Sequence, residues 1–122
     1  GLEVGSHAVC IERINLADGV PIMYETNLFP YQKFAFLLEE PLDGSLFELL
    51  EKKCHTIVSY SNNSYLDLAR ASGRIAKELR VPNREPLFFL YSEGYDSNNE
   101  LVYIGKDYVL ADQYRFYLDD PK

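Results

Sequence analysis

The sequence predicts an α+β domain with a mainly antiparallel sheet, and a phrase that occurs twice in the chain is the main reason. Residues 2–24 and residues 79–103 each read as a Leu-x-Val stub, a turn, and two strands joined by a turn rich in Asp, Gly and Asn. The two copies lie about 78 residues apart, and two copies are too few for a solenoid. We therefore expect one sheet built from two related hairpins, residues 8–28 and 87–110, with helices covering it.

Turn, capping and breaking residues place the individual elements. Asp18-Gly19 marks the turn of the first hairpin. Ser45 stands three positions before Glu48, which is the spacing of a capping box at a helix start, and Pro82 prevents a helix from continuing. The predicted elements, in chain order, are strands at 8–16 and 20–28, a helical segment at 31–38, a helix that begins at Ser45, a long strand with a polar interruption at 55–68, a helix at 71–79, and strands at 87–91, 101–110 and 113–118.

Length, composition and charge exclude several classes of protein. The chain has 122 residues, 47% of them hydrophobic, which suits one domain with a substantial core. No apolar run reaches the roughly 18–20 residues of a membrane helix, so we expect a cytoplasmic protein without a membrane partner. The net charge of −7 and the lack of a basic stripe argue against this chain gripping a nucleic-acid backbone itself. Cys10 and Cys54 have no metal-ligand spacing and are expected to be reduced thiols.

The sequence shows no enzymatic signature. His7 and His55 are its two histidines, and neither has a partner at metal-ligand spacing. The sequence contains no Gly-x-Ser-x-Gly elbow, and no phosphate-binding glycine loop or dinucleotide fingerprint. We therefore expect no cofactor, no metal and no catalysis, although the abundant Asp and Glu residues leave acid–base chemistry by carboxylates open.

Arg13 is the first candidate for a binding site. It follows Val9 and Ile11 at period two, which places it on an otherwise apolar strand face, where a charge is costly unless it is paired. Glu25 on the returning strand is a candidate partner. A two-residue turn would place Arg13 opposite Tyr24, so pairing with Glu25 requires one more loop residue or a β-bulge. A structural ion pair or a solvent-exposed arginine is the alternative, and composition alone slightly favours it.

Ser45, Tyr103 and Tyr108 are the other candidates that the residues themselves suggest. As a helix cap Ser45 would contribute about 1 kcal/mol, and the free N–H groups behind it would also attract an anion. Tyr103 and Tyr108 need hydrogen-bond partners if they are buried, which a polyol or a phosphate would supply. Capping and core packing are the ordinary roles of these side chains. The anion-binding role gains weight only in combination with an arginine across the pocket.

Motifs of a known family occur in order over nearly the whole chain. They are Ile11–Ile14, Ala17–Ile22 followed by Glu25, Gly44–Leu50, Ala76–Val81 and Asp112–Phe116. Together they resemble the UTRA domain, the effector-binding domain of the HutC branch of GntR-type transcription regulators. The order and spacing of the motifs carry this resemblance, because each motif alone is weak.

The resemblance implies a fold like that of chorismate lyase, a small-molecule effector in a pocket beside the sheet, and a homodimer. It also implies native sequence before Gly1, so that residues 1–122 are the single effector-binding and dimerisation domain of a bacterial regulator, usually a repressor. DNA would be bound only through a winged helix-turn-helix domain on the N-terminal side. Effectors in the family are often sugar phosphates, amino-sugar phosphates or other small anions. The positions that match are Arg13, Glu25, Ser45, Phe47 and Tyr108.

Three positions depart from the family pattern. Asn15 stands where many members carry a second arginine, Phe47 where a tyrosine is common, and Leu110 where a basic residue is expected. Each departure removes a donor or a charge, so a less charged or more apolar effector is an alternative to a sugar phosphate. Two other functions stay open. One is a chorismate-lyase-like enzyme, which should need more buried basic residues than Arg13, and the other is a dimerisation module with a vestigial pocket.

Overall fold

A five-stranded antiparallel sheet forms the centre of the computed structural model, which describes residues 7–115 and residue 117. The strands are β1 (Ala8–Ala17), β2 (Val20–Pro30), β3 (Tyr60–Arg70), β4 (Pro86–Tyr95) and β5 (Leu101–Leu110). They lie in the order β1-β2-β5-β4-β3. The helices are α1 (Tyr31–Phe34), which continues as a 3-10 segment at Ala35–Glu39, α2 (Leu46–Cys54) and α3 (Gly73–Leu79). The predicted α+β class with an antiparallel sheet is confirmed.

The two predicted hairpins, residues 8–28 and 87–110, lie side by side in this sheet. Strand β2 of the first hairpin pairs with β5 of the second, and the resulting order β1-β2-β5-β4 is the one that a two-fold axis between β2 and β5 would generate. The first turn has two residues, Asp18 and Gly19, both with positive φ, as a tight hairpin turn requires. The strand order agrees with internal symmetry, and superposition of the hairpins stays a prediction.

A β-bulge in the first hairpin sets the partner of Arg13. Next to the turn Leu16 pairs with Pro21, but the register shifts between Asn15 and Leu16. Beyond the shift Arg13 lies directly opposite Glu25. The bulge therefore supplies the extra residue that this pairing requires in addition to the two-residue turn.

The two faces of the sheet are covered by different helices. On one face, here called the α2 face, the residues before and within α2 pack onto β1 and β2; the buried members of this cluster are Val9, Ile11, Phe29, Phe34, Leu37, Leu46, Leu50 and Val102. On the other, the α3 face, the buried cluster is Tyr24, Ala71, Ala76, Leu79, Leu87 and Leu110. Side chains of a strand alternate between the two faces. The polar residues Arg13, Glu25 and Asp107, which lie opposite one another on β1, β2 and β5, are on the α2 face.

Strand β3 differs from the prediction of a strand at 55–68. It begins at Tyr60, and the predicted polar interruption is present as a local break in the pairing with β4, whose register skips Asn63 and Ser64. The chain absorbs this stretch as a register shift between Asn62 and Tyr65, with Asn63 at positive φ. Because β3 pairs on one side only, such an irregularity breaks few backbone hydrogen bonds.

The ends of the second hairpin also differ from the prediction. Strand β4 continues to Tyr95, well beyond the predicted end at residue 91. The predicted strand at 113–118 is wrong where the structure describes it. A 3-10 turn at Ala111–Gln113 ends the pairing with β4, and residues 114, 115 and 117 are not in a strand. Residues 116 and 118 lie outside the described part of the chain.

Candidate functional site

Arg13 joins the sheet to the loop that precedes α2. Its Nε and Nη2 atoms donate to Glu25 Oε1 at 3.0 and 2.9 Å. Its Nη1 atom donates to the carbonyl oxygens of Leu42 and Gly44 at 3.3 and 2.7 Å. The guanidinium therefore holds the loop against the sheet, which fixes the position at which α2 begins.

Glu25 is the acceptor at the centre of this network. Besides Arg13, the side-chain amides of Asn15 and Asn27 donate to it at 3.3 and 3.1 Å. Asn27 is buried at 7% exposure, on the same strand face as Glu25 because the two residues are separated by one position. The carboxylate is therefore held by one charged and two neutral donors, which is how a partly buried charge is stabilised.

Ser45 is the N-cap of α2, as the capping box predicted. Its Oγ accepts from the backbone N–H of Glu48 at 3.3 Å. The N–H groups of Leu46 and Phe47 precede the first intrahelical bonds, and within the described residues neither has a hydrogen-bond partner. The start of α2 thus presents two free donors beside the Arg13–Glu25 pair.

These groups enclose a cavity of about 170 Å³ between α2 and the sheet. Phe47 and Tyr103 form its aromatic wall, with ring centroids 5.2 Å apart. The Tyr103 ring lies across the bare backbone of Gly94, where a Cβ atom would approach it to 2.2 Å. The full lining is Arg13, Glu25, Asn27, Ser45, Leu46, Phe47, Ser92, Tyr103, Gly105 and Asp107.

Asp107 is the carboxylate that the network does not satisfy. It pairs directly with Glu25 across β2 and β5, and its Oδ1 atom is buried with no hydrogen-bond partner among the described residues. Burial, and then the nearby charge of Glu25, raise its pKa to about 6, against a smaller lowering by the backbone N–H of Thr26. The cavity therefore contains one carboxylate that has a charged donor, Glu25, and one that has none among the described residues, Asp107.

The structure brings five of the six predicted site residues together and separates the sixth. Arg13, Glu25, Ser45, Phe47 and Tyr103 line the cavity. Tyr108 instead points to the α3 face, where it packs on Phe89 with ring centroids 4.9 Å apart. Tyr103 and Tyr108 are five positions apart, and an odd spacing in a strand places side chains on opposite faces. The expectation that Tyr108 belongs with Arg13 is therefore corrected.

Tyr108 borders a broader depression of about 560 Å³ on the α3 face. The hydroxyl of Tyr24 donates to Glu12 there, and Arg74 lies 3.8 Å from the same carboxylate. Arg74 and Tyr65 remain 68% and 48% exposed, so a small molecule in this depression would stay largely in water. The smaller cavity on the α2 face, with its convergent buried polar groups, is the better candidate for a binding site.

Asn27, Ser92, Gly105 and Asp107 were missed by the sequence analysis. Asn27 and Asp107 carried a signal that could have found them, because Asn27 shares the face of Glu25 and Asp107 shares that of Tyr103 by even spacing. Ser92 and Gly105 carry no comparable signal. Within the described residues, no group of His, Cys, Asp and Glu could hold a metal ion, and no helix has the length and apolarity to cross a membrane.

The chain belongs to the UTRA domain family, whose profile it matches over residues 1–115. Solved structures share its fold. The effector domain of PhnF from Mycobacterium smegmatis superposes with a TM-score of 0.87 at 24% identity, over 95% of this chain and 71% of that one. A GntR-family transcriptional regulator from Enterococcus faecalis superposes with a TM-score of 0.81 at 23% identity, over 93% of this chain and 81% of that one. The C-terminal domain of Yurk from Bacillus subtilis superposes with a TM-score of 0.79 at 20% identity, over 86% of this chain and 72% of that one.

Proposed function

We propose that this domain binds a small polar or anionic effector in the cavity on the α2 face. It would serve as the effector-binding and dimerisation domain of a cytoplasmic bacterial regulator of the HutC branch of the GntR family. The observation that carries the proposal is the convergence of Arg13, Glu25, Asp107 and the free N–H groups of α2 on one cavity. Contact with DNA would belong to a winged helix-turn-helix domain outside this sequence.

The contacts of Arg13 favour binding over catalysis. A lyase that handles a dianionic substrate needs several free cationic donors around it. Arg13 is the one Lys or Arg among the described residues that line the cavity, and four of the five N–H groups of a guanidinium are already bonded to Glu25, Leu42 and Gly44. The cavity is therefore better suited to recognition than to turning over such a substrate.

The position of the cavity supports a way for an effector to act on the rest of a regulator. The effector would touch the sheet at Arg13 and Glu25 and the first turn of α2 at the same time. Arg13 also holds the loop at Leu42 and Gly44, so two arrangements of this loop would differ in their affinity for the effector. That difference in affinity sets the upper limit of the shift that binding can produce in the DNA-binding heads.

A pair of substitutions at Ser45 tests the proposal. Thermal-shift screening with phosphosugars and small carboxylates would identify ligands, and titration calorimetry would measure their affinity. Ser45→Asn and Ser45→Asp both keep the helix cap, but the aspartate adds a negative charge at the cavity wall. We expect an anionic ligand to bind Ser45→Asn nearly as well as wild type and Ser45→Asp about tenfold or more weakly. Equal affinity in both variants would show that no anion occupies the start of α2.

Sedimentation tests the proposed dimer separately. The domain should sediment as a homodimer at micromolar concentration, and duplex DNA should not retain it at physiological salt, because its net charge is −7. A monomer at that concentration would contradict the dimer, and retention on DNA would contradict the assignment of DNA contact to another domain.

A further inference from the structure

The guanidinium and amide donors that line the cavity are largely occupied by the protein itself. Four N–H groups of Arg13 are bonded to Glu25, Leu42 and Gly44, which leaves one of the five on a guanidinium. The side-chain amide of Asn27 also donates to Glu25. The donors that remain for a ligand are the first turn of α2, one N–H of Arg13 and the neutral hydroxyl groups of Ser45, Ser92 and Tyr103. The described lining therefore offers little positive charge to a ligand that only accepts hydrogen bonds.

The acceptors are in excess, and Asp107 is the reason. Arg13 contributes one positive charge, and Glu25 and Asp107 contribute one negative charge each when ionised, so the lining carries a net charge of about −1 near neutral pH. The pairing of Asp107 with Glu25 across the strands places two carboxylates side by side. The raised pKa of the Asp107 carboxyl, about 6, agrees with a buried negative charge that lies beside Glu25 and is opposed only by the backbone N–H of Thr26.

On the basis of the proposed function, we infer that the effector is one of the polar members of the proposed class and not one of the anionic members. It presents a protonated nitrogen to Asp107 and is a cationic or zwitterionic small molecule. An ammonium group would donate to the Asp107 carboxylate, which has the Thr26 N–H but no charged donor among the described residues, and would neutralise the excess charge of the lining. The aromatic wall of Phe47 and Tyr103 suits the same group, because aromatic faces attract cations within about 6 Å. In a zwitterion, the negative end would meet the free N–H groups of Leu46 and Phe47.

The size of the cavity limits the effector to a small skeleton. Its volume of about 170 Å³ equals that of five or six molecules of liquid water at about 30 Å³ each. It is below the range of roughly 300–1,000 Å³ that is usual for drug-sized ligands. A three-carbon polyol skeleton fits within this limit and can carry groups of different charge.

Four compounds on one skeleton test the inference. Calorimetry and thermal shift of the whole chain would use aminopropanediol, glycerol, glycerate and glycerol phosphate, which are a cation, a neutral molecule and two anions. The variant Asp107→Asn keeps the side-chain shape and removes the charge. Asp67→Asn, an exposed carboxylate on β3 outside the cavity, is the matched control.

We expect aminopropanediol to bind more tightly than the other three compounds. Asp107→Asn should weaken it by about ten- to a hundredfold, which is the loss expected for one charged hydrogen bond, and should leave glycerol unchanged. Asp67→Asn should change neither. An anion that binds wild type better than aminopropanediol, or an unchanged affinity in Asp107→Asn, would overturn the inference while leaving an effector site in place. Failure of all four compounds to bind at millimolar concentration would count against the proposed function and the inference together.

Discussion

Polar residues have different surroundings on the α2 face and on the α3 face of the sheet. On the α2 face, Arg13, Glu25 and Asp107 lie around a cavity under a helix start. On the α3 face, part of the sheet carries stacked tyrosines in a shallower depression; Tyr65, 48% exposed, and Tyr91 stack with centroids 5.0 Å apart and an interplanar angle of 18°. A charge on the first face must find a protein or ligand partner, whereas water is available to a charge on the second.

Two carboxylates show what this difference does. Burial raises the pKa of Asp107 on the α2 face. Glu93 on the α3 face accepts from the hydroxyl of Tyr91 at 2.6 Å, from Asn63 at 2.9 Å and from Tyr95 at 2.8 Å, and these donors lower its pKa. The ionised carboxylate is thus destabilised on the α2 face and stabilised on the α3 face. The reason is that the side-chain donors of the α2 face are bonded to Glu25 and not to Asp107. Four predictions test this contrast, in order of decreasing effect.

The largest effect is expected in the core between α2 and the sheet. Leu50 is fully buried and Leu68 on β3 is 79% exposed. Leu50→Ala should lower the free energy of unfolding by about 2–5 kcal/mol, because it removes buried methyl groups and leaves a void. Leu68→Ala, the matched control, should change it by no more than about 0.5 kcal/mol. Urea denaturation at fixed protein concentration measures both, and similar losses would show that α2 does not shield its face.

The second effect concerns the Arg13–Glu25 pair. Arg13→Met leaves Glu25 without its charged donor and the loop at Gly44 without its anchor, so the free energy of unfolding should fall by about 1.5–3 kcal/mol. Arg74→Met on the α3 face breaks an exposed contact of 3.8 Å with Glu12 and should cost at most about 1 kcal/mol. Adding Glu25→Gln to Arg13→Met should recover part of the loss. If the double variant recovers no stability, the loss in Arg13→Met comes from the released loop and not from the unpaired charge of Glu25.

The third effect is a gain of stability that depends on pH. Because the folded state raises the pKa of Asp107 to about 6, ionisation of this group opposes folding, and the wild type should lose stability as the pH rises from about 4 through about 6. Asn cannot ionise. Asp107→Asn should therefore have the higher urea midpoint at pH 7 and the same midpoint as wild type at low pH. A variant less stable than wild type at pH 7 would mean that the carboxylate has a partner in solution.

The smallest effect is expected at Glu93, with the opposite dependence on pH. Its lowered pKa means that ionisation favours folding, so the contribution is present at neutral pH and is lost as the pH falls through the acidic range. Glu93→Gln should be slightly less stable than wild type at pH 7 and equal to it at low pH. Its exposure to solvent keeps the change small. A gain in stability at pH 7, like that expected for Asp107→Asn, would remove the contrast between the two faces.

The local features of this chain could be predicted from its sequence. The Asp18-Gly19 turn, the Ser45 cap and the pairing of Arg13 with Glu25 through a bulge depend on residues close together in the chain or on one hairpin. Their energetics are short-range, so turn chemistry and capping were sufficient for the first two. The cost of an unpaired charge made Glu25 a candidate partner of Arg13, but the bulge that aligns the two residues was seen only in the structure. The polar stretch at 61–64 was predicted as an interruption within one strand. Its form, a register shift with Asn63 at positive φ, could not be predicted, because turn-forming residues are compatible with both a turn and an irregular edge strand.

The surroundings of Arg13 depend on contacts between distant parts of the chain. The contact of Asp107 with Glu25 depends on the pairing of β2 with β5, strands about 80 residues apart that no local rule brings together. The position of α2 over the sheet depends on the packing of Leu46 and Leu50 and on the hydrogen bonds from Arg13 to the carbonyl oxygens of the loop before α2. The hairpins and the helix cap follow from the sequence alone, and so does the choice of Glu25 as a candidate partner for Arg13. The assembly of these parts into one cavity, with one carboxylate that has no charged donor, followed from long-range packing, in which many weak contacts act together and no single residue carries the signal.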